Sequence, residues 1–523
     1  MIRIRDISLP PEHNPHQLTF EAAQLLGLST SKIRQVKIVR RSVDARKKPH
    51  VRIIYTIDVA VDGNEKRILK LSGCKRAQLA PTSFYKPPKT DKAMAKRPVV
   101  IGFGPAGMFA ALILANAGLK PLVLERGEDA AARNAKVEHF FATGELDPGS
   151  NVQFGEGGAG TFSDGKLNTG VNNPRIGWIL SQFVRFGARE NILYDAKPHV
   201  GTDVLLTVVQ NLRARVIKLG GEVRFNTQVT GLLLEGDRLT GVKTADGEEI
   251  PCDAAVLAIG HSARDTFEML DAQGVPMEPK AFAMGVRIEH RQEMIDEAQY
   301  GTADPSLPPA DYKLVQHLED GSVYTFCMCP GGYVVAAASE EGRVVTNGMS
   351  YADRDGENAN AALLVTVEPR EFPYEGILGG MKWQREIEAA AYRASGSYRA
   401  PAQRVEDFLK GIPSAGPGTV RPTYRPGVHW CDLHEVLPGK ITRSLEEALP
   451  RLEGSLKGYA SPDAVLTAPE TRSSSPVRIL RDESRQSKIR GLYPCGEGAG
   501  YAGGIMSAAI DGIMTAEMIV SSL

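Results

Sequence analysis

A glycine-rich string near residue 100 has the spacing of a nucleotide-phosphate site. Gly102, Gly104 and Gly107 form a GxGxxG pattern that follows one apolar segment and opens another. The first glycine permits a tight turn, the second lets backbone approach a pyrophosphate, and the third allows close helix–strand packing. A helix N-terminus at this point also offers unpaired N–H groups to phosphates. The string predicts a dinucleotide pyrophosphate site that includes Pro105 and Ala106.

An acidic residue follows at the distance expected for a ribose contact. Glu125 stands 18 positions after Gly107, at the end of the second predicted strand. Its carboxylate can accept hydrogen bonds from both ribose hydroxyls and would repel a 2′-phosphate, which disfavours NADP at this site. We add Arg126, Val229 and Gly260 as further residues for this end of the cofactor.

A second glycine-rich segment lies near the C-terminus and decides between cofactors. Gly496 and Glu497 follow a short apolar strand, and Gly503, Gly504 and Ile505 precede a helix. Glu497 is placed to accept hydrogen bonds from a ribityl chain, and the helix dipole would stabilise negative charge at flavin N1 and C2=O. NAD has no ribityl chain and needs no such second site. The two segments together favour FAD, with a glycine turn before an amphipathic helix as the alternative.

Between these ends, residues 155–166 contain five glycines in twelve positions. Such a loop lets backbone N–H groups approach a ligand. We expect it to wrap the pyrophosphate and one flavin edge through Gly157 and Gly158, with Ser163, Asp164 and Lys166 as polar contacts. An exposed flexible loop is the alternative.

A polar string at residues 470–476 supplies the candidate catalytic residues. It contains Glu470, Thr471, Arg472 and three serines, and it lies shortly before the last predicted strand. Arg472 can neutralise an anionic substrate or a reduced flavin, and Ser474 is the second candidate. A structural salt bridge at Arg472 is the alternative.

The six cysteines show no metal-binding or redox spacing. No CxxC pair and no His cluster at zinc spacing occurs, so no metal site is predicted. Cys327 and Cys329 are two positions apart, where a disulfide would be strained, and two buried thiols are the favoured interpretation.

The elements that must position these residues predict an α/β protein. We expect a Rossmann-like FAD/NAD(P)-binding domain with an inserted mixed α+β cap domain and a small N-terminal α+β domain. The predicted bounds are 1–90 for the N-terminal domain, 97–260 and 486–523 for the two parts of the FAD-binding domain, and 261–485 for the cap. Residues 81–97 are a predicted linker, 128–200 are predicted to be irregular, and 223–229 a single strand.

The distribution of charge and of apolar residues along the chain limits which partners the protein can bind. Residues 1–97 contain 21 Lys and Arg against 8 Asp and Glu, and the rest contain 41 against 54. The basic cluster Arg40, Arg41, Arg46, Lys47 and Lys48 can bind nucleic acid or an acidic electron carrier, but a face that docks on the acidic body is favoured. The N-terminus lacks the apolar core of a signal peptide, so we expect a cytoplasmic protein without membrane contact. The oligomeric state is not predicted.

Several long strings resemble one family. The motifs together resemble the glutathione-reductase-type FAD fold, and the chain is similar to uncharacterised FAD-dependent dehydrogenases, also labelled NAD/FAD-utilizing dehydrogenases. One departure is Arg291, where the family pattern implies Pro. The resemblance implies FAD and an oxidoreductase role, without a substrate. It rests on NVQFGEGGAGTFSDGKLNTG (151–170), GVRIEH (285–290), FCMCPGG (326–332), NGMS (347–350), ETRSSSPVRI (470–479) and GEGAGYAGGI (496–505).

These observations predict an enzyme that transfers hydride between a small organic substrate and flavin N5. No second GxGxxG unit appears in residues 261–485, so NAD(P)H as an electron donor would have to dock transiently. A flavin-dependent RNA-modifying protein that uses the basic N-terminal domain is one alternative, and an FAD monooxygenase is another.

Overall fold

A computed structural model describes residues 1–14, 16–81, 85–302 and 304–523. Residues 82–84 of the predicted linker lie outside the described residues. The N-terminal unit is a twisted antiparallel sheet with two helices, and its strands lie in the order β2-β3-β1-β4. The sequence predicts a strand, a helix and two further strands here, and the structure adds a last helix and a last strand. Its elements are β1 (Ile2–Leu9), α1 (Gln17–Leu26), β2 (Ile33–Asp44), β3 (Arg52–Val61), α2 (Glu65–Ser72) and β4 (Ala77–Leu79).

The basic cluster of this unit partly faces the rest of the chain. Arg41 forms a two-point ion pair with Asp195, at 2.7 and 3.0 Å. The Lys48 ammonium donates to the carbonyl of Ala298. These contacts attach the unit to the acidic body.

The next segment contains the predicted βαβ unit. α3 begins at Pro105, where a missing N–H costs nothing, directly after the extended Gly104. α4 begins after Asp129, whose side chain accepts from the N–H groups of Ala131 and Ala132. The elements are β5 (Val99–Ile101), α3 (Pro105–Asn116), β6 (Leu122–Leu124), α4 (Ala130–Thr143), α5 (Arg175–Arg185), α6 (Thr202–Lys218), β7 (Glu222–Arg224), β8 (Val229–Glu235), β9 (Arg238–Thr244), β10 (Glu249–Pro251) and β11 (Ala255–Leu257).

The remaining residues build a second large sheet before the chain returns to the first. In the described residues these elements are α7 (Arg264–Ala272), β12 (Met277–Pro279), β13 (Phe282–Arg291), α8 (Gln292–Tyr300), β14 (Val315–Leu318), β15 (Gly321–Cys329), β16 (Tyr333–Ala336), β17 (Thr346–Met349), β18 (Asn358–Val367), α9 (Gly379–Ser395), β19 (Ala400–Arg404), α10 (Val405–Lys410), β20 (Val428–Trp430), α11 (Gly439–Glu453), β21 (Val465–Glu470), β22 (Val477–Ile479), β23 (Leu492–Pro494) and α12 (Ile505–Ser521).

The core of the cofactor-binding part is a parallel sheet in the order β23-β11-β5-β6-β7. The last strand of the chain therefore pairs inside the sheet that the first part begins. Side chains of β5 alternate between the two faces: Val100 packs with α3, α5, α6 and α12, whereas Val99 and Ile101 pack toward the β8–β10 meander. The Rossmann-like α/β fold class is confirmed.

We call the sheet in the order β14-β15-β18-β13-β21-β19-β20 the cap sheet. It is antiparallel except between β19 and β20. Its central strand β13 is almost completely buried, and residues of both faces belong to the hydrophobic core. A sheet covered on both faces is rigid, so it can hold side chains at fixed positions against the first sheet.

Two predictions of local structure were wrong. The strand predicted at 223–229 is two strands in different sheets, because the chain turns at Asn226, which has φ +51°. The segment predicted as irregular contains α4 and α5. The apolar pattern of α4 was hidden by Arg133, a charged residue that is completely buried. Among the described residues, no helix combines the length and apolar character needed to cross a bilayer.

Candidate functional site

A cavity of about 340 Å³ lies where the strand ends of the parallel sheet meet the cap sheet. Segments from all along the chain after residue 100 contribute to its walls. Five predicted cofactor-contact or catalytic residues do not line it: Gly107, Gly157, Asp164, Gly496 and Ser474. The predicted residues that do line it are Gly102, Gly104, Pro105, Ala106, Glu125, Arg126, Gly158, Ser163, Lys166, Val229, Gly260, Arg472, Glu497, Gly503, Gly504 and Ile505.

The three motif glycines have different roles in the structure. Gly102 has φ +95°, and a side chain there would overlap the carbonyl oxygen of Ala258, the residue that follows β11. A side chain on Gly107 would overlap the Gly102 carbonyl, so this glycine sets the approach of α3 to β5. Gly104 is different, since a Cβ there would stand 3.7 Å from the Gly158 Cα with no closer neighbour. Position 104 therefore borders open space, and packing against a neighbour does not require a glycine there.

Glu125 fixes the loops at the Gly102–Gly107 end of the cavity, which we call the nucleotide end after the predicted pyrophosphate site. Its carboxylate accepts the backbone N–H of Phe103 at 2.8 Å, of Gly127 at 2.9 Å and of Gly155 at 3.0 Å. The side chain is buried beneath the cavity floor and also lines the cavity. The ribose contact stays a prediction, to which the structure adds a backbone-organising role. The Arg126 guanidinium is held by Asp265 at 2.8 Å through both terminal nitrogens.

The glycine loop at 155–166 is built around Arg133, which sequence reasoning missed. The guanidinium of this buried residue donates to the carbonyls of Asn151, Val152, Glu156 and Gly158 at 2.7–2.9 Å. A cation that satisfies four carbonyl oxygens fixes the path of the loop, whose N–H groups at residues 156–158 donate to backbone carbonyls. The loop is thus ordered by a buried side chain.

Two polar residues predicted as ligand contacts are committed elsewhere. The Asp164 carboxylate is completely buried and forms an ion pair with Arg354 and a hydrogen bond with Ser350. Burial raises the pKa of Asp164, but the positive charge of Arg354 outweighs it and holds the pKa below its usual value. The Ser163 hydroxyl donates to the Gly160 carbonyl at 2.6 Å. Lys166 is half-buried, lines the cavity and has no acceptor among the described residues.

The C-terminal segment brings a helix N-terminus to the cavity. A side chain on Gly503 or Gly504 would meet no atom within 4 Å, so the start of α12 is open. Gly496 donates its N–H to Asp511 at 2.8 Å and so anchors the preceding turn. Glu497 lies 3.5 Å from Nδ1 of His261. The other ring nitrogen of His261, Nε2, is buried without a partner among the described residues.

At the cap end, Arg287 organises three cavity-lining segments. This arginine of β13 is completely buried and forms a two-point ion pair with Glu470, with 2.9 Å between Nη2 and Oε1. Nη1 donates to the Cys327 carbonyl at 2.9 Å, and Nη2 donates to Asn347 at 3.0 Å. Glu470, Cys327 and Asn347 line the cavity. The only sequence signal for Arg287 was its place in the GVRIEH string.

The proposed catalytic role of Arg472 receives no support from its contacts. Its guanidinium is buried and pairs with Glu388 at 2.8 and 3.0 Å, and Nη1 donates to Ser339 at 2.5 Å. Arg264 binds the same carboxylate at 2.7 and 2.8 Å. The structure therefore matches the salt-bridge alternative. Ser474 does not line the cavity, whereas its neighbour Ser473 does.

The interpretation of Cys327 and Cys329 as two buried thiols holds for one of them. Cys329 is completely buried. Cys327 is half-buried and lines the cavity, because the chain forms a bulge between Phe326 and Cys329 that breaks the strand alternation.

Models of three known families match parts of the chain. Residues 281–473, which contain every strand of the cap sheet, match the C-terminal domain-like region of FAD-dependent proteins. Residues 177–287 match flavin containing amine oxidoreductase. Residues 1–60 match a domain of unknown function.

One curated relative covers the chain from end to end. An uncharacterized protein of Clostridium beijerinckii is 47% identical over 526 residues, covering 99% of this chain and 98% of the relative. A probable electron transfer flavoprotein-quinone oxidoreductase of Escherichia coli is 25% identical over 198 residues, which is 36% of this chain and 42% of that protein.

Among solved structures, L-proline dehydrogenase from P. horikoshii is 12% identical with a TM-score of 0.36, covering 82% of this chain and 94% of that chain. CtdE in complex with FAD is 12% identical with a TM-score of 0.32, covering 82% and 85%. The family matches, with the end-to-end relative, identify the protein at the level of its family. The chain belongs to a family of FAD-dependent oxidoreductases that also includes the Clostridium beijerinckii protein.

Proposed function

We propose that the cavity holds FAD in an extended form and that a small organic substrate exchanges hydride with it at the cap end. The observation that carries this proposal is that one cavity contains both the Gly102–Gly107 turn and the start of α12, next to the cap sheet. The adenosine would lie near Glu125 and Val229, with the pyrophosphate between Gly104 and Gly158. The ring would lie near Gly504 and Ile505.

The cavity's own features fit such a group. The starts of α3 and α12 both reach the cavity, and each presents a glycine with open space beside it, Gly104 and Gly504. Helix N-termini stabilise negative charge, which matches a pyrophosphate at one and a reduced ring at the other. His261 contributes a buried ring nitrogen that lacks a partner among the described residues. Glu497 adds an acceptor for a hydroxylated chain.

FAD supplies a carrier of two electrons at flavin N5 when it is bound. The chain's residues would do the rest by binding and orientation. The start of α12 favours negative charge near the ring, and the cap sheet excludes water from it. The Arg287–Glu470 ion pair keeps Cys327 and Asn347 at fixed positions, and Lys166 offers a cation to an anionic group of the substrate. NAD(P)H would act, if at all, by transient docking at this end.

The cofactor assignment is tested on the purified protein. We expect flavin absorbance and, after denaturation, released FAD by mass spectrometry. Gly104→Val places a side chain where the pyrophosphate would lie, so it should abolish FAD retention while the fold is kept. Gly177→Val, on the exposed face of α5 with no neighbour within 4 Å, is the matched control and should retain FAD.

A Gly104→Val protein that keeps one FAD per chain would contradict the assignment of the cavity. The redox part is tested separately, by anaerobic mixing with NADH or NADPH and by following the loss of flavin absorbance. Bleaching by either nucleotide supports transient docking, and the absence of bleaching by both rules them out as donors.

A further inference from the structure

The cap end of the cavity holds a cysteine in a conformation that non-glycine residues rarely adopt. Cys327 has φ +43°, in the left-handed region, at the bulge of β15. Residues held in such conformations by their surroundings occur preferentially at functional sites. Nothing in the proposed flavin site requires a cysteine here, so the residue needs a separate explanation.

The strained backbone is fixed from two sides. The Cys327 carbonyl accepts a hydrogen bond from Arg287 Nη1 at 2.9 Å and another from Cys329 Sγ at 3.2 Å. Arg287 itself is completely buried and pinned by Glu470. With its backbone held in this way, Cys327 presents its side chain to the cavity, where it is partly accessible.

The charges around this thiol favour its ionised form. A hydrogen bond from the Cys329 side chain lowers the pKa of Cys327, burial opposes it, and the positive charges of Arg287 and Lys166 lower it further. Asp164 acts in the opposite direction, but its carboxylate is paired with Arg354. The side-chain interaction with Cys327 and burial raise the pKa of Cys329, whose single S–H proton donates to the Cys327 carbonyl in the structure.

Lys166 adds an unused cation to the same wall. Lys166 lines the cavity, and its ammonium has no carboxylate or carbonyl acceptor among the described residues. A half-buried cation without a partner attracts an anion. The Lys166 ammonium has three N–H donors, which is more than the thiolate of Cys327 alone would use.

We propose that Cys327 is a nucleophilic thiolate and that Lys166 guides to it a substrate that bears both a carboxylate and an electron-poor carbon. The inference rests on the proposed function in one respect, that this end of the cavity admits the substrate. In an addition, the Sγ–carbon bond forms, the π electrons of the attacked double bond move to the neighbouring carbon, and that carbon takes a proton from water. The thiol proton passes to water, so the addition needs no external oxidant.

Alkylation of the full-length protein tests this pair of roles. Iodoacetamide and iodoacetate have nearly the same size and differ in charge. With either, an Sγ–carbon bond forms as iodide leaves. Mass spectrometry of peptides measures the alkylation rate of each cysteine in one sample. The half-buried Cys74 and Cys431 serve as internal controls. Burial raises the pKa of Cys431 to about 11, so it should react slowly.

Near neutral pH we expect Cys327 to react with iodoacetamide about 10-fold faster than Cys74, because more of it is thiolate. The iodoacetate-to-iodoacetamide rate ratio should be roughly 10-fold higher at Cys327 than at Cys74, owing to Coulomb attraction by Lys166. Lys166→Gln should remove that preference, whereas Lys37→Gln, at an exposed position of β2, should keep it.

Equal iodoacetamide rates at Cys327 and Cys74 would overturn the proposal that Cys327 is a nucleophile. Equal iodoacetate-to-iodoacetamide rate ratios at the two cysteines would overturn the role of Lys166. The wild-type ratios suffice for both conclusions, should the Lys166 variant fold poorly. Flavin absorbance of the same samples separates this inference from the proposed function. A flavin-loaded protein with an unreactive Cys327 contradicts the inference alone. A reactive Cys327 in protein that never binds flavin contradicts the proposed function alone.

Discussion

The two ends of the cavity are built in opposite ways. At the nucleotide end, Gly102, Gly104 and Gly107 lie within six residues of chain, and Glu125 binds only backbone N–H groups. At the cap end, Arg287 joins Glu470, which lies 183 positions away, to Cys327 and Asn347. One end is made of backbone shaped by a short motif, and the other is made of buried charged side chains from distant strands.

This difference suggests which end of the cavity serves a role shared by many proteins and which end serves a role specific to this protein. A backbone cradle suits a cofactor whose phosphates and ribose are the same in every protein that binds it. A constellation of side chains on a rigid sheet suits one substrate. The specificity of this chain should therefore lie in the cap sheet, and changes at the two ends should have separable effects.

The largest effect should come from removing Arg287. Arg287→Met leaves the buried Glu470 carboxylate without its ion-pair partner, which should lower the free energy of unfolding by about 3–5 kcal/mol. Arg291→Met at the end of the same strand is the control, since its pair with Glu357 is exposed and should cost less than about 1 kcal/mol. Urea unfolding measures both, and equal losses would show that the cap end does not depend on this ion pair.

The cap sheet should also make stability depend on pH. Burial raises the pKa of Glu289 in β13 to about 7, despite hydrogen bonds from Thr423 and Asn358. The folded state then binds a proton that the unfolded state releases, so stability should fall as pH rises from about 4.5 to about 7, by roughly 3 kcal/mol.

Glu289→Gln cannot ionise and should lack this component. Subtracting its unfolding free energy from that of the wild type at each pH removes the contribution of other groups, such as His290, whose pKa burial lowers to about 4. A difference that stays constant between pH 4.5 and 7 would show that Glu289 is ionised throughout.

Arg472 tests the junction between the two ends. Arg472→Met removes a charge-assisted pair with Glu388, but Arg264 still binds that carboxylate, so we expect a loss of about 1.5–3 kcal/mol in unfolding free energy. FAD should stay bound, and flavin reduction in stopped flow should proceed at the wild-type rate. A reduction rate about 100-fold slower would instead restore Arg472 to catalysis.

The smallest change in stability should come from the nucleotide end. Gly107→Ala overlaps the Gly102 carbonyl and should cost about 1–3 kcal/mol through displacement of α3. Gly104→Ala adds a Cβ in ordinary contact with Gly158, so FAD retention should fall while the melting temperature of the FAD-free protein stays unchanged. If Gly104→Ala melts as early as Gly107→Ala, the two glycines share a packing role.

The sequence alone determined the nucleotide end. The Gly102–Gly107 turn, α3, β11 and α12 follow from local rules, because glycine conformation and apolar periodicity act over a few residues. Glu125, Gly503 and Gly504 were predicted from the same local patterns, and they line the cavity. The FAD-dependent family was predicted from the sequence strings that carry the resemblance, and the comparisons confirmed it at the level of the family.

Only the tertiary structure decided which charged residues pair. The sequence gives no local sign that Arg133 and Arg287 are buried, and it leaves Arg472 between catalysis and a salt bridge. Each of the three is buried against partners between 18 and 183 positions away. A salt bridge has no local signature, since its energy depends on a distance and a degree of burial that the whole fold sets. The same holds for Cys327, which reaches the cavity only because β15 bulges where it meets β18.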